Sequence, residues 1–477
     1  MEILSFSIAI TILKKLIINS INISFIFIIM KVHFIAIGGS IMHSLAISLK
    51  RKGYFVSGSD DKFFNPSKDN LEREGLLFKE GWCPNKISKD LDFIILGMHA
   101  QKDNPELIEA QRKKIIIYSF PEYISLQSIN KKRIVIAGSH GKTTITSMIM
   151  HVFKDKGIKF DYVVGAKVDG FVDQVKLSDN DLIIIEGDEY LSSKIDKKPK
   201  FLHYKPHYLV LSGISWDHIN VFPTFEKYCD AFVKLLKSVK EKCKVIYNNE
   251  DKILHKLINN SSGLNFSYKM PQYMIKEGKY LIKEKNEEYK LSVFGNHNLL
   301  NIEATRSVCN EFKITSDFTF KSLRNYKGAK NRLELVKSLK FNSNIYRDFA
   351  HSPSKVNASI NAVKDLFPLS LLISCFELHT YSTLNINFFK QYKHVFKNAD
   401  FVWLFYSADE LKRKNINNIS KEILLKIIDH KRVKVFDCTD KLAKKIKETK
   451  WSNTNLLLMS SGNFQELNFH RITHSLK

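Results

Sequence analysis

What the chain lacks narrows it first. Its six cysteines (Cys83, Cys229, Cys243, Cys309, Cys375 and Cys438) are scattered, with no C-x-x-C pair and no histidine clustered beside them. That excludes a disulfide framework or a zinc module and points to a reducing compartment. No internal repeat and no low-complexity tract is present, which excludes a solenoid. The formal net charge of +25 comes without a stacking-aromatic module or a basic arm. Lysine is spread through every segment together with Ile, Asn and Phe, the mark of a codon bias rather than of a nucleic-acid face. One consequence of the charge survives: a positive field attracts phosphorylated substrates.

Long apolar runs are also missing. Residues 1 to 30 are rich in Ile and Phe, but Lys14 and Lys15 split them into stretches of about a dozen, short of the roughly 20 residues a spanning helix needs. No Lys or Arg precedes the first run and no small-residue cleavage site follows, so a secretory signal is not expected. Met30 directly precedes the first strand. We expect residues 1–30 to be an extension outside the fold, a gene-calling artefact or a disordered tail, with a membrane anchor as the alternative.

What is there is a folded chain of 477 residues, 44% hydrophobic and 26% charged, long enough for two to four domains. Val32 to Ile37, the glycines 38 and 39, a periodic stretch to Leu49 and a strand from Tyr54 ending in Asp60 follow βαβ grammar. Phe93 to Gly97 and Ile115 to Tyr118 continue it, and the polar stretch Ser128 to Arg133 is expected to be a linker. A second opening begins at Arg133 and runs into a helix through Lys156, with strands at Leu182 to Glu186 and Tyr208 to Ser212 and a helix at Phe225 to Val239. Residues 263–292 are expected to form a small antiparallel excursion. From Lys330, strands at Asn344 to Arg347, Ser370 to Cys375, Phe401 to Phe405, Val433 to Phe436 and Leu456 to Met459 alternate with helices. The expectation is α/β in three consecutive domains, 31–128, 129–329 and 330–477.

Gly138-Ser139-His140-Gly141-Lys142-Thr143-Thr144 follows an apolar strand and opens a helix, the context of a phosphate loop. Backbone N–H groups and the helix N-terminus suit anionic oxygens, Lys142 supplies a point charge for the β- and γ-phosphates, and Thr143 is placed to meet a magnesium ion. Ile136 stands where the general motif has its first glycine. A phosphate loop needs an acid to hold the metal, and Glu186-Gly187-Asp188-Glu189 ends the next strand of the domain. Asp217-His218 follows the strand after that, at the same sheet edge.

With those residues in hand, the chain resembles the Mur ligase family, cytoplasmic enzymes of peptidoglycan precursor assembly. The loop is similar to that family's G-[ST]-x-G-K-T-T, with the same shortened glycine spacing. Glu186 and His218 match its magnesium positions. Phe294-Gly-Asn-His297-Asn298-Leu-Leu-Asn301 is similar to its adenine-binding G-x-H-N-x-x-N. Arg332 falls on its domain-joining arginine, and Asp348-Phe-Ala-His351-Ser-Pro353 resembles D-Y-A-H-x-P, by which the third domain closes on the nucleotide. The resemblance implies a Rossmann-like UDP-sugar domain, a central P-loop ATPase domain and a Rossmann-like C-terminal domain. It further implies ATP and Mg2+, with Lys142, Glu186 and His218 catalytic and Thr143, Glu186 and His218 on the metal. The nucleotide would meet residues 138–144, His297, Asn298, Asn301, Arg332, Asp348 and His351.

His33 to Met42 resembles the opening of the branch that acts on UDP-N-acetylmuramate, although Ala36 and Ile41 replace two glycines. Gly38, Gly39, Ser40, Met42, Asp60 and His99 are the residues implied to bind that sugar nucleotide. Phe232 occupies the place of the carbamylated lysine of other branches. Within this branch the amine is either L-alanine or a salvaged tripeptide. Asp196-Lys-Lys-Pro199-Lys200-Phe-Leu-His203-Tyr204-Lys-Pro206 resembles the tripeptide type, and Thr380 and Thr383 stand where the alanine type has arginines. A nucleotide-binding switch without ligase activity and a membrane-associated component remain the other readings.

Overall fold

The computed structural model describes residues 29–416, 419–465 and 467. The expected extension lies, up to residue 28, outside the described residues. Met30, expected to belong to that extension, is instead part of the fold: it packs on the first core, and its carbonyl accepts a 2.9 Å hydrogen bond from Phe55. Among the described residues no helix is long and apolar enough to cross a membrane.

Four parallel strands, β1 (Lys31–Ile35), β2 (Phe55–Ser59), β3 (Phe93–Leu96) and β4 (Ile117–Ser119), form the first sheet in the order β2-β1-β3-β4. Their apolar runs are buried on both faces, as helix-covered parallel strands require. Two helices of this unit, α1 (Met42–Arg51) and α2 (Phe120–Gln127), also touch the central unit.

The central sheet has seven strands: β5 (Lys132–Ala137), β6 (Asp161–Val163), β7 (Val175–Lys176), β8 (Leu182–Glu186), β9 (Tyr208–Leu211), β10 (Lys244–Asn248) and β11 (Leu264–Tyr268), ordered β11-β10-β9-β5-β8-β6-β7. Helix α3 (Lys142–Asp155) follows β5, and α4 (Phe225–Ser238) buries Tyr228, Ala231, Phe232, Leu235 and Leu236, one apolar face at helical spacing. The Thr224 side chain caps α4 by accepting from Lys227 N–H, a contact worth about 1 kcal/mol.

Two expectations are corrected by the structure. Arg133, where the expected linker and the expected second opening overlap, belongs to the strand and not to the linker: it is buried, and its guanidinium donates to the carbonyls of Ser128 and Tyr204, tying the connecting segment down. The excursion at 263–292 is only partly antiparallel, because β11 adds to β10 in parallel, whereas β12 (Tyr273–Lys276), β13 (Lys279–Glu284) and β14 (Glu287–Lys290) form the separate antiparallel sheet. An edge strand carries the same polar alternation as a surface hairpin, so the pattern alone does not separate them.

Helix α5 (Asn296–Glu311) then covers α3 and leads toward the third sheet. That sheet comprises β15 (Glu334–Leu339), β16 (Ser343–Asp348), β17 (Leu371–Leu378), β18 (Phe401–Tyr406), β19 (Val433–Phe436) and β20 (Thr454–Met459), ordered β15-β16-β20-β17-β18-β19. Only β15 pairs antiparallel, and helix α6 (Pro353–Leu366) follows β16.

The three units are joined differently. One apolar cluster runs without a break from Val32 and Leu45 to Leu209 and Phe232, and Arg51 bonds Asp173 across it, so first and central units share a core. The third unit has its own core, which meets the central unit through Trp216, Ile219 and Phe294, through Leu366 on the central core, and through polar groups.

Candidate active site

Three loops meet over the C-terminal edge of the central sheet because β5 lies between β8 and β9. The loop after β5, residues 138–141, passes into α3, whose free N–H groups and positive dipole end face that edge. Gly138 holds φ 122°, and a Cβ there would strike the Ser212 side chain and stand 3.0 Å from the Gly213 carbonyl; Gly141 holds φ 69° against Asn301. Only glycine fits either position.

Lys142 donates to the Gly138 carbonyl (2.7 Å) and to Glu189 (2.6 Å). Burial opposes its charge, but Glu189 and Asp188, with Glu186 further off, outweigh burial and hold the ammonium above its ordinary pKa. Glu189, 1% exposed, also accepts from the Tyr228 hydroxyl (2.9 Å) and lies 3.7 Å from His218 Nε2. Thr143 donates to Glu186 (2.8 Å) and accepts from Arg332 (3.2 Å), whose guanidinium lies 4.4 Å over the Phe349 ring. The second Glu186 oxygen accepts from Gly165 N–H at 2.6 Å.

His218 sits at φ 56°, a left-handed conformation that strains a non-glycine residue, and its ring meets Tyr190 edge-on. The ligating atoms of Asp188, Glu189 and His218 all lie within 4.8 Å of one another. Carboxylates and a hydroxyl with one imidazole are a donor set that suits a small divalent cation such as magnesium. Of the implied metal residues, Thr143 and Glu186 touch directly, whereas His218 meets Glu189 and Asp188. Burial opposes the charge of Asp188, but Lys200 (2.7 Å), Lys142 and His218 hold its carboxyl below the usual range. Phe232, where other branches have their lysine, is wholly buried with its ring 5.5 Å from Phe201.

On α5, beside the start of α3, Asn298 and Asn301 hydrogen-bond each other (3.2 Å), and Asn298 also donates to the Phe294 carbonyl. His297 is different. Its Nδ1 is buried without a partner, and burial lowers its pKa so that the ring is neutral. Asn331 Oδ1 is likewise buried and unpartnered. A buried polar atom of this kind can take a hydrogen bond from a ligand or a water.

Across the seam, His351 Nε2 stands 3.3 Å from Asp217, and His140 Nε2 stands 2.7 Å from the Ser354 hydroxyl. Burial, reinforced by Lys355, pushes His140 down to about 3, so it bonds as a neutral ring. Asp348 accepts from Leu333 N–H and from the Ser359 hydroxyl, and so props the turn that carries Arg332.

In the first sheet, strand order reverses between β1 and β3, and the loops that follow them flank a crevice. Ser40 and His99 are exposed there. Gly38 N–H donates to Asp60 (2.7 Å), whose carboxyl burial, with Asp61 beside it, raises to about 7. Met42, 4% exposed, turns into the apolar core and underlies Gly39, so the expectation that it contacts the sugar nucleotide is corrected: as the first residue of α1 it points inward. The sequence brings in Asp188, Glu189 and Asp217 only as neighbours of Glu186 and His218, and it gives no sign of Tyr228 and Lys355. Tyr228 meets a partner 39 residues away and Lys355 one 138 residues away, and no local spacing signals such pairs.

Residues 31–131 match the Mur ligase family catalytic domain and residues 136–309 the Mur ligase middle domain. The UDP-N-acetylmuramate–L-alanine ligase of Clostridium kluyveri is 30% identical over 86% of this chain and 90% of its own length. The crystal structure of a UDP-N-acetylmuramate–alanine ligase from Thermotoga maritima superposes with a TM-score of 0.72 at 19% identity, covering 93% of this chain and 98% of that one. A murein peptide ligase from Psychrobacter arcticus gives 0.67 at 20%, covering 94% and 98%.

Proposed function

Because the chain belongs to the Mur ligase family of ATP-dependent, amide-forming ligases, we propose that it joins L-alanyl-γ-D-glutamyl-meso-diaminopimelate to the carboxylate of UDP-N-acetylmuramate, returning a salvaged tripeptide to peptidoglycan. Both substrates that carry phosphate are nucleotides, so the reaction is assigned to the cytoplasm. The domains would divide as a UDP-sugar unit at 31–128, an ATP unit at 129–329 and a closing, peptide-binding unit at 330–477.

One observation carries the chemistry: Lys142, Glu189 and His218 form a continuous polar chain beside the Thr143–Glu186 pair. Triphosphate entering this edge would exchange Glu189 for a phosphate oxygen on Lys142. The γ-phosphoryl then passes to the sugar-linked carboxylate, giving ADP and an acyl phosphate. Attack by the neutral amine forms the amide and expels phosphate. Thr143, Glu186 and His218, with Asp188 and Glu189 beside them, would hold magnesium, which when bound neutralises charge on the phosphate oxygens. Arg332 and the α3 N-terminus offer fixed positive charge where phosphate oxygens gather. His297 supplies a neutral ring nitrogen for the nucleobase, and Gly38 to Ser40 with Asp60 and His99 would take the UDP moiety. Closure of the third unit excludes water from the acyl phosphate.

The tripeptide is supported by two stretches. In the run from Asp196 to Pro206, Asp196 meets His203 at 3.1 Å and accepts from Ser119, anchoring the run beside α2. Thr380 and Thr383 bond each other at 3.2 Å and present no cation for a small amino-acid carboxylate. L-Alanine is the second reading, favoured by the name of the Clostridium relative at 30% identity. Phosphate release measured with ATP and UDP-N-acetylmuramate, comparing the two acceptors, separates them: tripeptide is expected to turn over faster. Faster turnover with L-alanine overturns the acceptor assignment, and release indifferent to any amine overturns ligation itself.

A further inference from the structure

We infer that Lys355 is a positioning residue that holds the third domain docked at the phosphate loop, by pairing with Asp217. Asp217, in the loop after β9, is 2% exposed, and its two carboxylate oxygens face different domains. Its Oδ1 is satisfied within the central domain, accepting His218 N–H at 2.8 Å. Its Oδ2 meets groups of the third domain, Lys355 at 3.0 Å and His351 at 3.3 Å. A buried carboxylate oxygen that loses its partners is strongly destabilised, so the central domain needs the third in place.

His351 is not the group that compensates the charge. Its Nδ1 lies 2.8 Å from the Phe349 carbonyl oxygen, which can only accept, so Nδ1 carries the proton. With Nδ1 protonated, Nε2 faces Asp217, and burial, with Lys355 beside it, lowers the His351 pKa and disfavours the charged ring. Lys355, on the first turn of α6, is left as the positive partner. Other polar contacts across this seam are weaker in kind: Ser354 bonds His140 and Ser215 (2.7 and 2.9 Å), Arg332 reaches Thr143 (3.2 Å) and Ile219 N–H donates to Ser382 (3.4 Å), none of them a carboxylate–ammonium pair. Apolar contact is made by Trp216 edge-on to Phe388 at 5.6 Å, by Phe294 edge-on to Tyr346 at 5.5 Å and by Leu366 against the central core. The first and central units, by contrast, share a continuous core. Lys355 therefore sits at a junction that is polar enough to open and is charged on both sides. Asp217 also neighbours His218, which couples the latch to the nucleotide edge.

The test uses the full chain and two independent readouts. Small-angle scattering of the nucleotide-free protein needs no assumption about the reaction. Lys355→Met is expected to increase the radius of gyration, and Lys355→Arg to restore the wild-type value. The kinetic readout rests on the ligase reading above: Lys355→Met is expected to raise KM for ATP by about five- to fiftyfold while kcat changes less, again with rescue by arginine. An unchanged radius in Lys355→Met, with circular dichroism showing the variant folded, overturns the latch. Expansion as expected in a protein whose wild type shows no amine-dependent turnover upholds the latch and removes the ligase reading instead. If arginine fails to rescue the radius, charge pairing is wrong.

Discussion

The two ends of the nucleotide edge are built on opposite terms. At the phosphate end the charged groups are already paired: Lys142 with Glu189, Asp188 with Lys200, Asp217 with Lys355. At the end proposed for the nucleobase, His297 Nδ1 is buried without a hydrogen-bond partner. The contrast follows from cost. An unpaired buried charge costs several kcal/mol, whereas an unpaired neutral nitrogen or amide oxygen costs about 1–3 kcal/mol. A fold that waits for its ligand can leave the second kind open but must close the first internally. On the proposed reading, phosphates would enter by exchange and the base by filling.

The sharpest way to break this comparison is to remove the charge that is exchanged. Lys142→Ala is expected to lower amine-dependent phosphate release by about a hundred- to a thousandfold, with UDP-N-acetylmuramate binding still measurable by calorimetry. Near-normal turnover removes Lys142 from the phosphate site. Next in size, Glu189→Gln leaves Lys142 without its nearest counter-charge. Folding stability should fall by up to about 3 kcal/mol, and saturating ATP should recover most of the loss, because phosphate takes the vacated role. A variant that ATP destabilises further would contradict exchange.

At the filling end, His297→Ala should leave the melting temperature of the nucleotide-free protein nearly unchanged, since Nδ1 has no bond to lose. KM for ATP should rise about tenfold and preference over GTP should shrink. A large stability loss without a change in KM makes His297 structural. The smallest effect concerns the sugar-nucleotide crevice. Asp60 has a folded pKa of about 7, raised from an ordinary value of 3.8, so the folded state binds a proton that the unfolded chain releases. That contribution is full below about pH 4 and is lost as pH rises through 7. Melting temperature should therefore fall between pH 5 and 8 more in wild type than in Asp60→Asn; parallel curves refute the assignment.

How much of this is legible in the sequence varies with distance along the chain. Strand β8 (Leu182 to Glu186) and strand β19 (Val433 to Phe436) can be placed to the residue, since each is a short apolar run with a defined stop. Gly138 to Thr144 is legible for the same reason: a phosphate loop is one contiguous turn. The parallel edge strand β11 looks like part of a hairpin, because edge position is decided by a neighbour and not by alternation. Met42 looks like a ligand contact because its motif position is local, whereas its inward direction depends on where α1 packs.

The amino-acid order by itself determined the strand-helix succession, the glycine-bounded phosphate loop and the acids at strand ends, because each arises from neighbours in the chain acting through backbone geometry. Only the tertiary structure decided that Glu189 rather than Glu186 holds Lys142, that Tyr228 closes the same network, and that Lys355 crosses to Asp217. Those pairs join residues that are remote in sequence and adjacent only once β8 and β9 flank β5 and the third domain has docked. Coulombic selection among several nearby acids depends on ångström distances and burial, and spacing along a chain carries neither.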